Sequence, residues 1–151
     1  MPPEASRTFA SIEEIPAGFW RWPHIDAATE WACAESGSLI VVPEFLDRLE
    51  ELRHRCGFPL HISSGYRSPA HNRKVSTTGD TGPHTTGLAV DIRAYGTQAR
   101  AIFDHAVPLQ FRGIGLRQHG AVLRRFIHLD DLGGDAHEPR PWIWTYDAEA
   151  A

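Results

Sequence analysis

Apolar and polar residues recur along this chain with two different periods, and the switches between them mark its elements. Phe45, Leu46, Leu49 and Leu52 follow helical spacing, with Asp47, Arg48, Glu50, Glu51 and Arg53 on the other face. Val42, Pro43 and Glu44 open this helix, Gly57 suits the position just past its end, and Pro59 forbids continuation. A second helix is expected over residues 97–107, with Ala101, Ile102 and Ala106 as its apolar side. Strand patterns fall at 60–63, 88–92, 111–116 and 126–129, and residues 142–146 close the chain with alternating aromatic side chains. Several links between strands are too short for crossovers, which predicts an α+β fold: a small, mostly antiparallel sheet flanked by helices.

The remaining stretches read as connections. Ser68 and Pro69 predict a turn into a short helix with Pro69 in its first position. Residues 76–83, built from Ser, Thr, Gly, Asp and Pro, predict a loop. Asp26 is placed to cap a short helix over 27–34, which Ser36, Gly37 and Ser38 break. Phe19, Trp20, Trp22 and Pro23 form an aromatic cluster expected to pack on the domain, since such rings carry a large burial energy. Residues 1–17, rich in Pro, Ala, Ser and Glu, are expected as a flexible arm, 18–147 as one domain and 148–151 as a tail.

Composition narrows the function classes. A chain of 151 residues suits a single domain that needs no staples to fold. Its net charge of −4 gives no electrostatic reason to expect nucleic acid, which selects a basic face. No run approaches the ~20 apolar residues of a membrane span. The first 19 residues lack the basic and apolar regions of a secretory signal, so a soluble product made in the cytoplasm is expected. Cys33 and Cys56 are too few for a four-thiolate zinc site; they are expected as free thiols, although pairing is not decided by sequence.

One constellation carries chemistry. His84 opens the 88–92 strand region, Asp91 lies seven positions later, and His128 sits on the 126–129 strand. Two imidazoles and a carboxylate suit zinc, which in catalytic sites takes three protein ligands and leaves a fourth position open. Strand alternation turns Asp91 and His128 away from the apolar Val90, Ile92, Ile127 and Leu129, so two strands can share a site. Spacing alone is weak support, because nine histidines make chance combinations easy. His24, His54, His61, His71, His105 and His137 read as surface or satisfied histidines.

Several separated motifs sharpen this. SGYRSPAHNRKV, PHTTGLAVDI, FIHLD and RPWIWTY occur in that order and resemble the zinc D-Ala-D-Ala carboxypeptidase family of peptidoglycan peptidases, which includes phage endolysins and murein endopeptidases. The resemblance runs from about Trp22 to Tyr146. It implies the small α+β fold shared with the Hedgehog signalling domain, a catalytic zinc on His84, Asp91 and His128, and peptidoglycan stem peptides as substrate, cut by a carboxypeptidase or endopeptidase. It also implies a functional Arg67 in the SGYR turn. WACAESGSL looks like a region found in phage-like and gene-transfer-agent relatives, which implies delivery to the wall by a phage-like particle and other particle proteins as partners.

Two departures stand out. Many relatives carry Ser two places before the first ligand, where Gly82 stands here, and characterised endolysins and carboxypeptidases of the family carry a general-base carboxylate three places before the last histidine, where Arg125 stands; other branches of the family also lack an acid there. The general base is therefore open. Asp130, on the His128 face of its strand, is the first candidate, with orienting a ligand or capping a turn as its other role. His119, in a loop between neighbouring strands, is the second. Arg67 suits a terminal carboxylate or a developing oxyanion, with a structural salt bridge as the competing role. Tyr66 and Asn72 either line the substrate cleft or hold the loop. Trp142, Trp144 and Tyr146 are expected mainly to pack the C-terminus, with stacking on sugars second. The alternative to an enzyme is a weak or inactive zinc-binding module serving as a structural part of a phage-like particle.

Overall fold

A computed structural model of the chain describes residues 4–146. The main sheet has five strands in the order β3 (His61–Ser64), β4 (Ala89–Arg93), β6 (Phe126–Asp130), β5 (Gly113–Arg117) and β7 (Trp142–Thr145). All neighbours run antiparallel except β5 and β7. The α+β expectation holds, with one parallel pair at an edge.

Alternation splits the sheet into two faces. Ile62, Val90, Ile92, Ile114, Ile127 and Leu129 point to one side, where they are buried in a single apolar cluster. Helix α1 (Pro43–Cys56) contributes Phe45, Leu46, Leu49 and Leu52 to that cluster, and α3 (Gly96–Ala106) contributes Ala99, Ile102 and Ala106. The helical periodicity thus identified the covering face of α1, while in α3 Ile102 and Ala106 are buried as expected and Ala99, not Ala101, completes the face. Gly57 ends α1 in the left-handed conformation, φ 73°, which a residue without Cβ adopts most cheaply.

The N-terminal part corrects one expectation. Within the stretch expected as an arm, β1 (Arg7–Phe9) pairs antiparallel with β2 (Leu39–Val41), and Phe9 is buried. The pairing was invisible because three-residue strands are too short to show a period. Trp22 and Trp31 are buried as well, with indole N–H groups donating to Asp47 Oδ1 at 2.8 Å and to the Ile40 carbonyl at 2.8 Å. Asp26 caps the turn at Ala27–Trp31 as expected, accepting from the amides of Ala28 and Thr29. Residues 147–151, including the expected tail, lie outside the described residues.

The second sheet face stays largely free of helices. Short helix α2 (Pro69–Val75), capped by Ser68, and the following loop rise at its rim. Cys33 and Cys56 are both free. Among the described residues, no helix is long and apolar enough to cross a membrane.

Candidate metal centre

The sheet register brings the three expected ligands together. Asp91 on β4 lies directly opposite His128 on β6, and opposed residues project from the same face. His84 reaches them from a 3₁₀ turn, Pro83–Thr86, just before β4. Its Nε2 is 3.2 Å from Asp91 Oδ1, and His128 Nδ1 is 3.0 Å from the same oxygen. All three residues are buried, and one donor atom from each lies within 4.8 Å of the others.

This arrangement fits a metal ion. Two tetrahedral zinc ligands at ~2.0–2.1 Å from the ion stand about 3.3 Å apart, close to the separations found. The outer imidazole nitrogens are already committed, as metal-binding histidines require. His84 Nδ1–H donates to the Gly65 carbonyl at 2.9 Å, and His128 Nε2–H donates to Asp130 Oδ2 at 2.7 Å. Both acceptors lack protons, so the outer nitrogens keep their N–H groups and the inner nitrogens are the ones that face Asp91.

Electrostatics agree. Burial works against an ionised Asp91, but the His84 charge and the His128 hydrogen bond outweigh it and hold the carboxyl well below the usual range. Burial also disfavours a charged His128, yet hydrogen bonds to Asp130 and Asp91 raise its pKa to about 9.

Asp130 corrects the first expectation for the base. It is 0% exposed, and it lies on the far nitrogen of His128 from Asp91. Arg140 grips it with two hydrogen bonds, Nε to Oδ1 at 2.8 Å and Nη2 to Oδ2 at 2.9 Å. Burial alone would raise its pKa, but His128 and Arg140 hold it far below the usual carboxylate range. A sealed, paired carboxylate cannot take a proton from water in the cleft; Asp130 orients His128. Room for it comes from Gly113, opposite on β5, where a Cβ would overlap the carboxylate.

The other predicted residues divide. Arg67 lines the cleft with its Nη2 3.6 Å from Asp91 Oδ2, its Nε donating to Ser64 Oγ at 3.0 Å and its Nη1 to Asn72 Oδ1 at 3.2 Å. Asn72 is 0% exposed and ties Arg67 to the loop through Thr78 Oγ1 at 2.9 Å, so it positions Arg67 and does not line the cleft. Tyr66 is buried in the core cluster away from the cleft, with burial pushing its phenol pKa up. His119 is likewise absent from the cleft wall. Arg125 turns toward the 118–121 loop, donating to the Gly120 carbonyl at 3.0 Å. Gly82 has a local cause: a Cβ there would overlap the Thr78 hydroxyl, which occupies the space.

The cleft holds about 540 Å³, and its walls include residues that sequence reasoning set aside. Phe126, Trp142, Trp144 and Tyr146 line it, as do Glu138 and Arg140. Trp144 stacks near His128 with ring centroids 5.3 Å apart, over Gly115, where a Cβ would stand 2.7 Å from the indole. Burial, then the Asp91 charge, pushes the Tyr146 phenol pKa up, so it remains a proton donor. The period-two run from Trp142 to Tyr146 held the signal for this wall. Glu138 and Arg140 sit in an aperiodic loop and gave none. A larger cavity of about 660 Å³ lies across Trp142, between α1 and β7, but among the described residues it contains no comparable set of metal ligands.

Comparison with known proteins agrees with this geometry. A model of the Peptidase M15 family matches residues 23–130, which is most of the chain and includes all three candidate ligands. The chain belongs to that family. Neither curated proteins nor solved structures give a significant match.

Proposed function

We propose that this member of the Peptidase M15 family is a zinc-dependent hydrolase of an amide bond in the peptide stems or crosslinks of peptidoglycan. The observation that carries the reading is the convergence of His84 Nε2 and His128 Nδ1 on one Asp91 oxygen, at 3.2 and 3.0 Å, at the floor of an open cleft. Zinc in such a site supplies Lewis acidity toward a carbonyl and toward water.

The chain's own residues account for the rest. His84 and His128 are pre-oriented by the Gly65 carbonyl and by Asp130, so the site need not reorganise when loaded. Arg67 is held at two of its nitrogens by Ser64 and Asn72, which fixes the plane of its guanidinium beside Asp91. A fixed fork of N–H donors suits a substrate carboxylate or an oxygen that gains negative charge as the amide is attacked. Phe126, Trp144 and Tyr146 form an aromatic wall that excludes water from one side of a bound peptide.

Delivery of the enzyme to the wall by a phage-like particle rests on the WACAESGSL resemblance alone. The reading of a zinc-binding module without turnover draws on Arg125, which stands where relatives carry a carboxylate.

A muropeptide digest followed by mass spectrometry, with and without chelator, tests the proposal and names the bond. Free D-Ala indicates a carboxypeptidase; separated or internally cut stems indicate an endopeptidase. His84→Ala is expected to lose both zinc and hydrolysis. Retention of stoichiometric zinc and full activity by that variant overturns the assignment.

A further inference from the structure

We infer that Glu138, in the loop between β6 and β7, is the residue that accepts the proton of the attacking water; the inference rests on the peptidase reading above. Among the described residues, two carboxylates line the cleft, Asp91 and Glu138. Asp91 is fully committed, with Oδ1 facing both histidines and Oδ2 facing Arg67. Asp130 is sealed beneath His128, and His119 and Arg125 do not reach the cleft wall. Among the described residues, the Glu138 carboxylate is the one acidic group on the wall without a hydrogen bond or ion pair of its own.

Its backbone, by contrast, is pinned. The Glu138 amide donates to Asp135 Oδ1 at 2.8 Å, and its carbonyl accepts from the Asp135 amide at 3.0 Å and from Arg140 Nη1 at 3.3 Å. Arg140 at the same time holds Asp130, which orients His128. One guanidinium therefore sets both a metal ligand and the loop that carries Glu138. A rigid backbone under a free carboxylate is what a proton shuttle needs, since the side chain must meet water first and the leaving nitrogen second.

The step balances. Water gives one proton to the Glu138 carboxylate as its oxygen bonds to the amide carbon. The carboxylic acid then returns that proton to the amide nitrogen as the carbon–nitrogen bond breaks. The products are a carboxylic acid and an amine, and Glu138 is ionised again. Characterised endolysins and carboxypeptidases of the family place this function three residues before the last histidine, ahead of the strand; here the loop after the strand supplies it from the other direction.

The test uses the full chain with Glu138→Gln and Glu138→Asp. Glu138→Gln is expected to bind zinc stoichiometrically, to lose ~10²–10⁴-fold in kcat with KM within a few-fold, and to lose the acid limb of its kcat/KM profile. Glu138→Asp is expected to recover part of the rate and the limb. A second readout needs no turnover: adding Zn²⁺ to metal-free protein should shift the Glu138 ¹³Cδ resonance, and should not in His84→Ala. A Glu138→Gln enzyme within threefold of an active parent, or a resonance indifferent to zinc, overturns the role of Glu138 alone. A zinc-loaded parent that cleaves no stem peptide overturns the peptidase reading, and this role with it.

Discussion

Replacing Asp130 with Asn separates a positioning residue from a base. The carboxylate accepts four hydrogen bonds: from Arg140 Nε at 2.8 Å and the Leu132 amide at 3.3 Å on Oδ1, and from His128 Nε2 at 2.7 Å and Arg140 Nη2 at 2.9 Å on Oδ2. Asparagine has nearly the same shape but only one acceptor oxygen. In either rotamer its amide group faces two donors, so two hydrogen bonds are lost and donors are left opposed. Arg140 also loses its counter-charge in a site where Asp130 is 0% exposed. Breaking a buried ion pair from one side costs about 3–5 kcal/mol, and removing the orienting partner of a metal-binding histidine weakens the metal by about 10–100-fold. Urea unfolding of the metal-free protein and zinc competition against a fluorescent chelator measure the two effects. At saturating zinc, kcat should fall by no more than about tenfold, because a lost base costs ~10²–10⁴-fold. An unfolding loss under about 1 kcal/mol with unchanged zinc affinity and a thousandfold drop in kcat would refute the positioning role and return Asp130 to the base.

Other outcomes follow from the same geometry. Gly115→Ala puts a methyl group 2.7 Å from the Trp144 indole; it should cost about 1–3 kcal/mol in urea unfolding and change the near-UV dichroism of the tryptophans, and a neutral result refutes the packing. Arg67→Lys keeps the charge but loses the fork held by Ser64 and Asn72; kcat/KM for stem peptides ending in a free carboxylate should fall at least about tenfold, more than for amidated ones. The metal-free cluster also makes stability depend on pH. Since the folded pKa of His128 is raised to about 9, above the ordinary ~6.5, its contribution is complete below pH ~6.5 and disappears as pH rises through 9. Asp91 and Asp130 are shifted down, so their contribution is present above pH ~4 and disappears as pH falls further. Urea midpoints in excess chelator should therefore be highest between about pH 4 and 6.5, and a flat profile from pH 5 to 9.5 refutes the coupling.

Much of this protein is written locally. Helical spacing at Phe45, Leu46, Leu49 and Leu52 and the alternation of Val90 with Asp91 and of Ile127 with His128 identified the core face and two of three ligands, because side-chain direction follows backbone period. His84 was legible through its motif and its distance from Asp91. The strands Arg7–Phe9 and Leu39–Val41 were not, since three residues cannot display a period and gain their stability from pairing with each other and from burying Phe9, Leu39 and Val41 in the core. Tertiary structure alone decided how the side chains around the candidate metal site are buried and paired. Asp130 shares its strand face with His128, so alternation made it a plausible base; Arg140, ten residues on in an aperiodic loop, reaches back to seal it. The same return of the chain places Glu138 on the cleft wall. Which carboxylate is buried and paired and which meets water depends on long-range packing, and packing at a loop leaves no repeating pattern in sequence to be read.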